Sequence, residues 1–181
     1  MTDETEQKIL NAALKIFSQK GYDGAKTKTI AKESGFSEVT LFNRFKTKRN
    51  LYNKVATQNT AKIKEDIYSM LKDYRHEKPA AFLRTLIKDL FKLFDDNIEF
   101  MHLTVEEASK PSEQFELEFF NVLIVHLEKN IQNDKMDYQA LATTLFTFTY
   151  MHSLAKYKGR HYFDQDKLLE GFMNNIMMCI R

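Results

Sequence analysis

Residues 27–45 read TKTIAKESGFSEVTLFNRF, and their spacing decides the fold. A short helix is expected over Thr27–Ser34, turning Ile30 and Ala31 inward. Gly35 breaks it at a tight turn, and Ser37 is suited to cap a second short helix over Ser37–Phe45, with Leu41 and Phe45 inward. Two short helices around a glycine turn, with the small Ala31 letting them cross closely, have the organisation of a helix-turn-helix. A plain three-helix packing unit would explain the apolar positions equally well. It would not explain why the outward positions are Lys28, Thr40, Asn43, Arg44, Lys46 and Lys48, all donors suited to phosphates and base edges.

Working outward, the segment before the motif predicts a helix over Asp3–Lys20. Ile9, Leu10, Ala13, Leu14 and Phe17 recur at helical spacing, acids stand at its positive end, and Gly21 stops it. After the motif, Thr47 can cap a long helix over Lys48–Tyr74. Pro79 opens an almost wholly apolar helix to Asp95, as a first-turn proline should. Further helices follow over Asn97–Ser109, then, after Pro111 and Ser112 punctuate the chain, to about Asn133, over Asp137–Lys158, and from Asp164 onward. The expectation is an all-α chain of about nine helices. A helix-turn-helix domain occupies 1–50, with its motif at about 26–45, and a larger helical domain occupies 51–181. Five Gly and two Pro in 181 residues suit long helices better than a strand-and-turn architecture.

Charge divides along the chain. Residues 1–54 carry 11 Lys and Arg against 6 Asp and Glu, and the remainder carries 16 against 19. A basic end on an acidic body implies a polyanionic partner for that end alone. The polar, acidic start MTDETEQK is not expected to be a signal peptide, and no apolar run approaches the roughly 20 residues of a membrane helix. The single cysteine, Cys179, cannot close an internal disulfide and reads as a small apolar helix residue in a reducing, cytoplasmic setting.

The first 55 or so residues resemble the TetR/AcrR family of bacterial transcriptional regulators. The resemblance rests on Ile9 to Phe17, Gly21-Tyr22, Ile30 to Ser37, Thr40-Leu41-Phe42, Phe45-Lys46-Thr47-Lys48 and Leu51. It implies a homodimer that binds palindromic double-stranded operator DNA. Thr27 and Lys28 would touch phosphate, and Ser37 would cap the recognition helix and also bond phosphate. Glu38, Val39, Thr40 and Asn43 would read the major groove, Glu38 by accepting from cytosine and Val39 or Thr40 by packing on a thymine methyl. Arg44, Lys46 and Lys48 would lie on the DNA backbone. Phe42 stands where a phosphate-binding tyrosine is usual, so one donor is lost. Glu38-Val39, Arg44 and Arg49 also depart from the usual pattern, which leaves the operator sequence open. The resemblance further implies dimerisation through the last two helices, repression, and release by a small effector.

Large apolar side chains concentrate after residue 80. Candidates to line an effector cavity are Phe82, Leu86, Phe100, Met101, His102, Phe115, Phe119, Leu123, Phe146, Tyr150 and Met151; ordinary core packing explains the same stripes. Their chemistry implies a small hydrophobic effector, with few polar groups for orientation. The alternative is a DNA-binding protein with a packed body and no effector. Glu99-x-x-His102 has the spacing of a di-iron bundle ligand pair, and Glu106 follows at helical spacing, but no second copy exists. No nucleophile elbow, phosphate loop or H-E-x-x-H is present, so no enzyme, cofactor or metal is expected.

Overall fold

The computed structural model describes residues 3–72, 78–106 and 110–180; the side chains of 106, 110–114 and 179–180 are outside that description. Tyr74 and Ser109, given above as helix ends, are outside the described residues, as are the side chains of Glu106 and Cys179. The described residues form helices joined by short turns, with no strand among them.

Eight helices follow one another: α1 Glu4–Gly24, α2 Thr27–Ser34, α3 Glu38–Phe45, α4 Lys48–Lys72, α5 Pro79–Glu106, α6 Lys110–Ile131, α7 Tyr138–Tyr157 and α8 Gln165–Ile180. Among the described residues the count is one below the expected nine, for a local reason. The helices expected on either side of residue 96 are one helix, α5, bent at Asn97 (φ −124°, ψ 16°). The Asn97 amide donates to the Leu93 carbonyl at 2.9 Å and to Asp66 at 3.3 Å. A side chain thus occupies a backbone acceptor where the helical ladder breaks, so the polar run Asp95-Asp96-Asn97 marks a kink and not an end. Similarly, Pro111 lies inside the first turn of α6 and does not precede it.

The chain forms two compact units, residues 1–64 with 99–112, and residues 65–98 with 113–181. The boundary between the units at residues 64 and 65 lies within α4, and the first unit also takes the end of α5.

In the first unit, α1 starts at Asp3, whose carboxylate accepts from the Glu6 amide at 2.8 Å. It is interrupted at Gly21 (φ 65°, ψ 173°) and closes with one more turn to Gly24. Ile9, Ala13, Phe17, Ile30, Leu41, Leu51 and Val55 are wholly buried together, and Leu103 of α5 joins this core. In the second unit, α5 buries Phe82, Leu83, Leu86, Ile87, Leu90, Phe91 and Phe94. Phe94 meets Phe146 edge-on at 5.4 Å and Tyr150 at 6.0 Å, with Phe119 tilted at 6.3 Å. Such pairs add about 0.5–1.5 kcal/mol each beyond the area they bury.

Candidate nucleic-acid interface

The motif is built as its sequence dictates. Gly35 takes the left-handed conformation (φ 79°, ψ 16°) that a residue with a Cβ adopts at a cost, and the Phe36 amide donates to the Ala31 carbonyl at 3.0 Å. Ser37 then opens α3, its hydroxyl accepting from the Thr40 amide at 3.1 Å. Leu41 and Phe45 anchor one face of α3, which leaves the other outside: Val39 is 68% exposed, Phe42 is 40% exposed, and Asn43 and Arg44 are exposed. Lys28 is exposed at the start of α2. An exposed β-branched residue beside amide, guanidinium and ammonium groups matches what a groove offers: methyl groups, base acceptors and phosphates.

Several of these groups are already engaged. The Thr27 hydroxyl donates to the Glu38 carboxylate at 2.5 Å, joining the starts of α2 and α3. Arg44 donates to Asp3 at 2.5 Å. That guanidinium and the Glu6 amide together hold the Asp3 carboxyl below its usual range, the amide contributing most. Lys46 ends α3 in an uncommon conformation (φ 65°, ψ −44°), with the Thr47 amide donating to the Phe45 carbonyl at 2.7 Å. This is a γ-turn of the strained kind, and the Lys46 ammonium folds back to the Asn43 carbonyl at 2.8 Å. Thr47 caps α4 by accepting from the Asn50 amide at 3.0 Å. Lys48 and Arg49 lie over the Tyr22 ring at 4.4 and 4.3 Å, and Lys48 also donates to the Asp23 carbonyl at 3.3 Å.

Two participants were not foreseen as such. Asp3 was read only as a helix-end charge, because nothing local ties it to Arg44, 41 residues on. Tyr22 was read only as part of a recurring pair, though an aromatic after a breaker glycine was the available signal.

Residues 9–55 match the family model described as bacterial regulatory proteins, tetR family. This segment is similar to that family over the residues matched. The TetR-type head aligns with the uncharacterized HTH-type transcriptional regulator YvkB of Bacillus subtilis, 37% identical over 57 residues, covering 32% of this chain and 30% of that protein. The IcaR protein of Staphylococcus aureus, described as a negative transcriptional regulator of the biofilm operon icaADBC, is 26% identical over 109 residues, covering 60% of this chain and 56% of that one. The chain thus spans about a third to a half of the curated relatives it matches. Among solved structures, the transcriptional regulator FadR of Bacillus subtilis in complex with stearoyl-CoA superposes with a TM-score of 0.64 at 17% identity, covering 96% of each chain. That likeness establishes the fold beyond the TetR-type head.

Of the cavity candidates, Phe119, Phe146 and Tyr150 meet within the second unit, with ring centroids 5.9 Å apart for Phe119 and Phe146 and 5.5 Å apart for Phe146 and Tyr150. Phe100, Met101 and His102 belong to the first unit, whereas Phe82, Leu86, Phe115, Phe119, Leu123, Phe146, Tyr150 and Met151 belong to the second. Phe82 and Leu86 have no exposed surface and Leu123 has 1%. Met151 is 53% exposed and borders an open groove of about 590 Å³ along α7 and the connection to α8, with Phe148, His152, Tyr162, Phe163 and Leu168. A second groove of about 430 Å³ lies between α4 and α6, lined by Tyr68, Leu71, Lys72, Asn121, Val122, Val125 and His126. Among the described residues no cluster of three metal-ligating side chains occurs, and no helix is long and apolar enough to cross a membrane.

Proposed function

We propose that this protein is a DNA-binding transcriptional regulator that works as a homodimer on a palindromic operator, most simply as a repressor. The observation that carries this reading is the exposed face of α3, where Val39, Asn43 and Arg44 stand outward from a helix held by Gly35 and Ser37. In this reading α3 enters the major groove. Lys28, Ser37, Phe42, Arg44, Lys46 and Lys48 border the backbone, and Val39, Thr40 and Asn43 face the bases. Arg44 and Lys46 would exchange their internal partners for phosphates. Repression is supported by the description of IcaR as a negative regulator.

One motif spans only a few base pairs, so useful affinity calls for two, about 34 Å apart on a two-fold axis. The pairing surface we propose is formed by α7 and α8. It is supported by the apolar groove there, whose rim leaves Tyr162 at 66% and Phe163 at 68% exposure.

The second unit would sense a small hydrophobic effector, which is supported by a relative of the same fold holding stearoyl-CoA. The helix α4, 25 residues long, is shared by both units and would carry the change to the head. A hundredfold loss of operator affinity requires about 2.7 kcal/mol of differential binding. The alternative, a packed body with no effector, is favoured by the burial of Phe82, Leu86 and Leu123.

Footprinting of the purified protein on DNA flanking its own gene tests the reading. A protected palindrome is expected, with affinity falling steeply as salt rises. Indifference to every duplex at low ionic strength would end it. Adding stearoyl-CoA, or palmitate as a simpler probe, should release the operator. Saturable binding with unchanged operator affinity would favour the packed-body alternative.

A further inference from the structure

Thr27 is the first residue of α2 and Glu38 the first of α3, and the hydroxyl of one donates to the carboxylate of the other at 2.5 Å. We propose that Glu38 selects a cytosine in each half of the DNA site, and that Thr27 is the positioning residue that holds it there and not a phosphate ligand. The proposal rests on the DNA-binding reading given above.

A threonine hydroxyl has one proton to donate. Here it is directed at Glu38, so Thr27 cannot give the same proton to a phosphate while this bond stands. A carboxylate can accept about four hydrogen bonds, so Glu38 keeps the capacity to take another donor. Its surroundings make that donor necessary. Lys26 and Lys28 are exposed at the start of α2, and Arg44 and Lys46 at the end of α3, so the two helices that Thr27 and Glu38 open carry cations suited to a polyanion. An acid on those helices is repelled by the phosphates unless it gains a hydrogen bond in return.

The major groove offers two amino donors, N4 of cytosine and N6 of adenine. On adenine the donor sits beside the N7 acceptor, which a carboxylate meets lone pair to lone pair. Cytosine presents its donor with no acceptor on its own edge, so an acceptor-only side chain distinguishes the two. The position within α3 agrees, because residues at the start of a recognition helix are those that reach base edges. Glu38 is only partly exposed, and its tether to α2 fixes its rotamer before DNA arrives, which lowers the entropy lost on binding.

The test is selection of preferred duplexes from a randomised pool by the full-length protein, followed by affinity measurements on single-base variants. The wild type should select one cytosine per half-site whose replacement by thymine weakens binding by about 5- to 100-fold. Glu38→Gln, which adds a donor, should move the preference at that position toward adenine and leave the other positions unchanged. Thr27→Val should keep the same site but blunt discrimination at that one position, and Thr27→Ser should restore it. Circular dichroism of each variant separates these effects from unfolding. If Glu38→Gln selects the same bases as the wild type, or Thr27→Val weakens all duplexes equally while Thr27→Ser does not, the proposal is wrong and the DNA-binding reading stands. If the wild type selects no duplex, both fall.

Discussion

Lys46 holds a backbone conformation that costs stability. Its γ-turn geometry (φ 65°, ψ −44°) is one that side chains with a Cβ adopt at a cost of order 1 kcal/mol, and glycine does not bear that cost. Lys46→Gly is therefore expected to raise unfolding free energy in urea by about 0.5–1 kcal/mol. The same change removes a cation from the DNA face, so it should lower operator affinity and reduce the salt slope by about 1. Equal affinity and slope would deny Lys46 its phosphate. Glu99 is a second case. Burial pushes its carboxyl above the usual range, and Lys15 only partly offsets this. For an acid with a raised folded-state pKa, the folded state prefers the neutral form, so ionisation works against folding as pH rises through the folded value. Glu99→Gln should then stabilise the protein at pH 7, with the gain shrinking as pH falls from the raised folded value to the ordinary carboxylate value of 4.5 and gone below it. Urea titrations at pH 7 and pH 4 give the comparison, and a gain that grows on acidification would contradict the assigned cause.

At the scale of the element, a side-chain cap decides where α3 begins, whereas α2 starts without one. The eight-residue α3 is too short to persist on propensity alone and depends on its Ser37 cap and its two buried anchors. Ser37→Ala should cost about 1 kcal/mol of stability. Because the cap also sets the angle at which α3 starts, operator affinity should fall by more than the stability loss explains; a drop in stability with no change in affinity would leave Ser37 with a capping role alone. Helix ends were legible where a cap residue sits next to a breaker, as at Ser34-Gly35 and at Ser37. At Asn97 the sequence marks the right place, but a side-chain amide that satisfies a carbonyl there leaves the two helices joined through a kink, which a sequence pattern does not distinguish from a full stop.

For the whole molecule, the proposed dimer makes the distance between two reading heads the decisive quantity. A 21.4 kDa chain acting as a pair should sediment at about twice that mass at micromolar concentration. Inserting about 5 base pairs between the half-sites turns one of them to the opposite face of the duplex, and should weaken binding far more than inserting about 10. Indifference to both insertions would mean that the heads act independently. Charged substitutions at Tyr162 and Phe163, exposed on the α7–α8 groove, should shift the protein toward the monomer without lowering its helicity. A dimer that tolerates them would place the pairing surface elsewhere.

Periodicity and breakers alone determined that the chain is all-helical. They placed α2 at its observed bounds, put Ile30, Ala31, Leu41 and Phe45 inside, and set Lys28, Asn43 and Arg44 outside. These are local consequences of a 3.6-residue repeat and of which residues tolerate a cap or a turn. Tertiary structure decided which side chains meet across long separations: Arg44 with Asp3, Thr27 with Glu38, Lys48 and Arg49 with Tyr22. It also divided the apolar stripe of α5 between two cores, so that Phe82 and Phe100 serve different units. A helical stripe states that a face will be buried, but the partner that buries it depends on how the helices cross, and no local repeat encodes that angle.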